Sequence, residues 1–319
     1  MAICTVTGTL AGHGGGSTAS GQYIVRSAGL VGATVFSNTF HVAGQSRVQA
    51  SQQFDGIASP YPMAMAYQKL YWSEGQQQTG PNTPQPVASM AAAGIEMLFG
   101  LKPSRSLTPE NLAAFQATLS VLAKAAPGMW VALWPEANYQ DVNPPYFTSA
   151  AEYIAYVQFY GPSVVAAGFP LAYDAFVVAA NGPDLISYFP GTTYQGNQLI
   201  SGVFADIYCT QAISNGASLT QIAQLADDNG LSLGVAECGA ADNSTEPPLS
   251  AFADFMGGMT ETMSSRLAAG KVNLAAGWYC ADVNGPNGLP AGDEKWPYVL
   301  DFWRAASSQS VANTVGGLN

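Results

Sequence analysis

The chain is short of charge, histidine and cysteine. Only 10% of its 319 residues are Asp, Glu, Lys or Arg, and it has two histidines and four cysteines. Ten Lys and Arg stand against 21 Asp and Glu, a net charge of −11. So few cations cannot form a phosphate-tracking stripe, which excludes nucleic acid as a partner. The same acidity argues against binding to anionic membranes. His13 and His41 lie in no ligand-spaced motif, so neither a metal nor any other cofactor is expected. Cys4, Cys209, Cys238 and Cys280 are too few for a disulfide framework and include no CxxC pair. The last three fall at expected strand ends and read as buried small hydrophobes, with a disulfide between neighbouring ends left open. No segment is a credible transmembrane helix. The first eight residues, MAICTVTG, lack the basic and long apolar regions of a signal peptide, so the sequence assigns no location.

What is present is apolar. Hydrophobic residues make up 48% of the chain, enough for a full core, and the low charge argues against disorder. The surface must then be carried by Gly, Ser, Thr, Asn and Gln. Residues 1–25 are rich in Gly, Ser and Thr and read as a β-rich arm or linker, a surface open to protein assembly. Residues 26–319 read as one domain. Apolar runs at 30–36, 63–72, 94–102, 129–136, 164–173, 202–208, 231–237 and 272–279 alternate with amphipathic stretches. Thr108 caps one helix with Pro109 at its first position. Others open near Ser149, Ser218 and Leu249, and a last one covers 296–306.

Eight strands in strict alternation with helices predict an α/β fold with a parallel sheet, closed as a (β/α)8 TIM barrel. The spacing supports closure. From Glu136 to Glu237 there are roughly 34 residues per βα unit, and a barrel of about 250 residues allots roughly 31. A doubly wound sheet is the alternative, but no glycine-rich phosphate loop opens a helix here.

Two of the apolar runs stop on a carboxylate. One is Met129-Trp-Val-Ala-Leu-Trp-Pro-Glu136-Ala-Asn138, and the other is Leu231-Ser-Leu-Gly-Val-Ala-Glu237-Cys-Gly239. A run apolar on both faces is a buried parallel strand, and in a closed barrel the C-terminal strand ends carry the chemistry. Two carboxylates about 5–5.5 Å apart are what a retaining glycosidase needs. One must keep its proton, and Trp134 and Pro135 make an apolar approach to Glu136. The other must stay ionised, and Tyr208 at the end of the sixth strand is placed to donate to Glu237. Asn138 is a candidate for bonding a sugar hydroxyl. Trp72, Trp278 and Asp206 are candidate substrate contacts, each read equally well as core. Asp174 and Asp282 are alternative carboxylates with weaker surroundings. Polar loops after the strands, at 76–86, 138–145, 184–198, 240–248 and 284–296, suit an open cleft for an uncharged polysaccharide.

The Trp134-Pro-Glu136-Ala-Asn138 segment resembles the Trp-His-Glu-x-Asn segment of family 26 glycoside hydrolases, β-mannanase-like members of clan A. The resemblance implies a TIM barrel with Glu136 as acid/base after the fourth strand and Glu237 as nucleophile after the seventh. It also implies Trp278 as a sugar platform and Tyr208 as a tyrosine beside the nucleophile. Pro135 departs from the pattern, standing where clan members carry Asn or His. It has no donor, so a sugar contact made from that position is lost and mannan specificity is not carried over.

Two functions are therefore expected. One is a retaining, endo-acting glycoside hydrolase; the other is a non-catalytic barrel that binds glycan or serves as a structural subunit. A phage tail component that contacts host cell-wall glycan is a concrete form of either.

Overall fold

A computed structural model describes residues 3–7, 20–24, 29–34, 64–73, 96–139, 146–177, 185–209, 219–239, 247–269, 273–277, 294–295, 297–298 and 301–302. β1 (Ile3–Thr7) and β2 (Ser20–Ile24) form a separate antiparallel pair. Eight parallel strands then close a barrel. In chain order they are β3 (Gly29–Thr34), β4 (Ala64–Ser73), β5 (Glu96–Lys102), β6 (Trp130–Leu133), β7 (Leu171–Phe176), β10 (Gly202–Tyr208), β11 (Ser232–Gly239) and β12 (Asn273–Gly277). β12 pairs with β3 and β7 pairs with β10, so every barrel strand has two neighbours. The expected TIM barrel is the fold. Between β7 and β10 a small hairpin, β8 (Thr193–Tyr194) and β9 (Asn197–Gln198), turns at Gln195 and Gly196. Both have positive φ, 50° and 79°, as a two-residue hairpin turn requires.

Among the described residues four helices lie between consecutive barrel strands. α1 (Pro109–Ala125) is capped by Thr108, whose hydroxyl accepts from the Asn111 N–H. α2 (Ala150–Ala166) is capped by Ser149, and the Glu152 carboxylate reaches back to the Thr148 N–H and hydroxyl in the manner of a capping box. α3 (Leu219–Asp228) lies between β10 and β11, and α4 (Leu249–Ala268) between β11 and β12. The buried Arg266 guanidinium of α4 pairs with Asp227 and donates to the carbonyl of Ala223 in α3, tying the two helices together. Among the described residues no helix is long and apolar enough to cross a membrane.

One expected element moves. The fifth barrel strand was expected at 164–173, but α2 continues to Ala166 and the strand runs from Leu171 to Phe176. Val164, Val165 and Ala166 are apolar, and a short apolar run does not distinguish the end of a buried helix from a buried strand. Asp174 therefore lies within this strand rather than after it. Of the expected last helix, residues 297–298 and 301–302 are helical.

Side-chain alternation splits the core into two layers. Val131 and Leu133, Tyr173 and Ala175, and Val203, Ala205 and Ile207 join a large outer cluster with the helices. Leu98, Trp130, Ala132, Ala172, Phe204 and Ala236 fill the barrel interior. Trp130 and Phe204 are its bulk, with ring centroids 5.3 Å apart. Room for them comes from glycine: a Cβ on Gly234 would lie 2.0 Å from the Phe204 ring, and one on Gly202 2.9 Å from Trp130.

Candidate active site

β6 runs into an irregular turn that hydrogen-bonds to the neighbouring strand β7. β6 stops at Leu133, and the next residues leave the extended region: φ is 49° at Trp134 and 60° at Glu136. Left-handed backbone at a non-glycine residue costs about 1–3 kcal/mol and persists only where its surroundings impose it. Those surroundings are visible. The Trp134 N–H donates to the Leu101 carbonyl at 2.8 Å, and the Glu136 N–H to the Asp174 carbonyl at 3.0 Å. Pro135 is buried, whereas Trp134 and Glu136 are each partly exposed.

Trp134 is the hub of an aromatic wall. The rings of Tyr146, Phe147 and Tyr156 lie 5.8, 5.4 and 5.9 Å from it, all edge to face. Such pairs add about 0.5–1.5 kcal/mol each beyond the area they bury. Lys102 Nζ and the Arg105 guanidinium sit 5.8 Å from the same ring, within cation–π range. Arg105 also donates to the Tyr146 carbonyl. The wall is pinned from behind by tyrosine hydroxyls of α2. Tyr153 donates to the Leu133 carbonyl, Tyr156 to Pro103 and Tyr160 to Ser104. Burial, and then the negative charge of Glu136, holds the Tyr146 phenol above its ordinary pKa. Tyr146 thus stands within electrostatic reach of Glu136.

Asn138 is 3% exposed and points into the protein. Its Nδ2 donates to the Phe176 carbonyl at 2.7 Å, and its Oδ1 accepts from the Phe176 N–H at 2.9 Å. The sugar hydroxyl expected to meet this amide gives way to the backbone of β7. The two bonds need opposite ends of the amide, which fixes its orientation.

The next strand end is regular. By alternation Phe204, Asp206 and Tyr208 share the inward face of β10, as Ala172, Asp174 and Phe176 do on β7. Asp174 and Asp206 are buried carboxylates at 1% and 0% exposure, and Tyr208 is buried against Phe176 at 6.1 Å between rings. Asp206 thus lies on the inward face of β10, buried. Burial, and then the Asp174 charge, pushes the Tyr153 phenol up.

A bulge in β11 precedes Glu237. Ala205 pairs with Val235, but Asp206 pairs with Glu237, so β11 carries one extra residue there. In unbroken register Glu237 would stand opposite Ile207, an outward position. The bulge sets it opposite Asp206. Tyr208, expected beside Glu237, lies on the neighbouring strand in register with Gly239. Trp72 lies near the C-terminal end of β4, in register with Leu101. Trp278, Cys280 and Asp282 lie outside the described residues. Cys209 and Cys238 are buried, and burial pushes the Cys209 thiol up to about 12. Among the described residues no group of three or more His, Cys, Asp and Glu is arranged to hold a metal ion.

Sequence reasoning missed Tyr146, Arg105 and Phe176 at this site. Tyr146 and Phe147 had a readable signal: an apolar pair just ahead of the Ser149 cap, facing Tyr153 within the first turns, is a variant of the hydrophobic staple. Phe176 takes part through its backbone, which no residue pattern announces.

No protein-family model matches the chain, and no curated protein sequence does. Solved structures do share its fold. The catalytic domain of a family 26 endo-β-1,4-mannanase from Bacillus sp. JAMB-750 superposes with a TM-score of 0.57 at 14% identity, over 89% of this chain and 90% of that one. An endo-β-1,4-mannanase double mutant from Cellulomonas fimi gives 0.57 at 17%, over 89% and 71%. A family 30 endoxylanase from Clostridium papyrosolvens C71 gives 0.51 at 12%, over 89% and 70%.

Proposed function

We propose that this barrel is a clan A glycoside hydrolase that cleaves a polysaccharide chain internally with retention of anomeric configuration. The observation that carries the reading is the pair of glutamates at the C-terminal ends of the fourth and seventh strands of a closed parallel barrel. Each stands at a local departure from regular strand structure, one a left-handed turn and the other a bulge. Irregular backbone of this kind concentrates at functional sites. The barrel's likeness to endo-mannanases and an endoxylanase supports the same reading.

In the proposed reaction Glu237 attacks the anomeric carbon as its carboxylate, and Glu136 gives its proton to the departing glycosidic oxygen. Water, deprotonated by Glu136, then releases the sugar from Glu237 with a second inversion. Trp134 packs into the aromatic wall two residues before Glu136, and the charge of Glu136 is felt by Tyr146 in that wall. Pro135 offers no donor, so the sugar must be held by other groups at that position.

The test is a panel of β-1,4-mannan, xylan, xyloglucan and bacterial cell-wall glycan, followed by proton NMR of the first-formed anomer. Internal cleavage with retention is expected. Inversion, or the absence of cleavage across the panel, sinks the reading.

A further inference from the structure

We propose that Asn138 is a positioning residue: its side-chain amide continues the β6–β7 ladder beyond the point where the backbone leaves it, and so holds the turn that presents Glu136. The proposal rests on the assignment of Glu136 as the acid/base, but its structural half stands without it.

β6 and β7 pair through Val131–Leu171 and Ala132–Ala172, and there the pairing of backbones ends. Trp134 bonds to β5 on the other side, and Pro135, next in turn to face β7, has no N–H to offer. The ladder resumes at one point, where the Glu136 N–H meets the Asp174 carbonyl. Two residues along β7, Phe176 presents both a carbonyl and an N–H toward β6. A continuing strand would supply a backbone N–H and carbonyl to meet them, and the Asn138 amide, a peptide group in miniature, supplies the same two groups at 2.7 and 2.9 Å. The Tyr139 ring then closes on Phe176 at 4.7 Å, and the Tyr139 N–H bonds back to the Glu136 carbonyl. Glu136 is thus held between two anchors, its own N–H on Asp174 and the Asn138 clamp on Phe176. Its left-handed φ of 60° is what the two anchors together impose. An amide of this length is required. Ala leaves both groups of Phe176 unmet. An ionised Asp keeps the bond from the Phe176 N–H but turns an acceptor against its carbonyl, and a protonated Asp restores both.

The experiment pairs a crystal structure with kinetics on Asn138→Ala and Asn138→Asp, using the polysaccharide of the panel that the wild type cleaves. In Asn138→Ala the turn should relax, with Glu136 leaving positive φ while the barrel strands superpose. Its kcat should fall about 10²-fold, as for a catalytic group displaced by an ångström, with KM changed less than about threefold. The ratio of Asn138→Asp to wild-type kcat should rise as pH falls and the new carboxyl takes up its proton. Melting curves separate this from simple loss of fold. An unchanged turn at Glu136 in Asn138→Ala overturns the proposal whether or not any glycan is cleaved, and so does a wild-type kcat. If no polysaccharide is cleaved, the assignment of Glu136 fails and the crystal structure alone decides the clamp.

Discussion

The two glutamate-bearing strands end by different means. β6 breaks off after four residues into a left-handed turn, fastened by side chains and single hydrogen bonds. β11 remains a strand to Gly239 and changes register by inserting one residue. The first end depends on a local clamp and the aromatic wall around Trp134. The second depends on the packing of the barrel interior, since Gly234, three residues before Glu237, makes room for Phe204. Equivalent places on one barrel therefore have unequal vulnerabilities. A change at the β6 end should alter rate more than stability, and a change under the β11 end should alter stability more than rate.

Gly234→Ala is the larger of two tests of this contrast. Its methyl group would meet the Phe204 ring at 2.0 Å, far inside contact distance. Overpacking of this kind costs about 1–3 kcal/mol, read as a lower midpoint in denaturant. Adding Phe204→Leu should recover part of the loss. If Gly234→Ala leaves the midpoint unchanged, the interior does not set the β11 end and the contrast fails.

That contrast was only half legible in the residues. Apolar runs ending on Glu136 and Glu237 announced two buried strands with carboxylates at their ends, and the spacing announced closure. The bulge was not legible, because Val235-Ala-Glu237-Cys238 reads as continuous strand until β10 is laid beside it. The role of Asn138 was hidden for the same reason: its partners are the backbone groups of Phe176, 38 residues away. Polarity at the end of a strand suggested a ligand, whereas the fold supplied a partner. Asp206 and Tyr208 were read as site residues from their place at a strand end, and the structure shows both to be buried there. The fifth strand was misplaced because the apolar end of α2 carries no period that separates helix from strand.

A smaller effect should come from the helix behind the aromatic wall. The Thr148 N–H first, and then the Thr148 hydroxyl and the Arg105 charge, hold the Glu152 carboxyl below its ordinary pKa against a partial opposing cost of burial. A folded pKa below the unfolded one means the stabilisation is fully present above the unfolded value, about 4.3, and is lost as pH falls through the lower folded value. Glu152→Gln should therefore be less stable than wild type near neutrality by no more than about 1 kcal/mol, the scale of a helix cap. The gap should close on acidification below pH ~4. A gap constant with pH would show that the carboxylate's charge contributes nothing to the cap. Because the cap lies outside the turn itself, kcat should be untouched, which sharpens the distinction between holding α2 and holding Glu136.

The central claim is that these two strand ends work as one pair. Its most direct test is the rate of polysaccharide cleavage by wild type, Glu136→Gln and Glu237→Gln, each shown to be folded by circular dichroism. A loss of roughly 10³-fold or more in both variants is predicted, the scale expected on removing a group that transfers a proton or forms the covalent bond. Cleavage at the wild-type rate by both would contradict it.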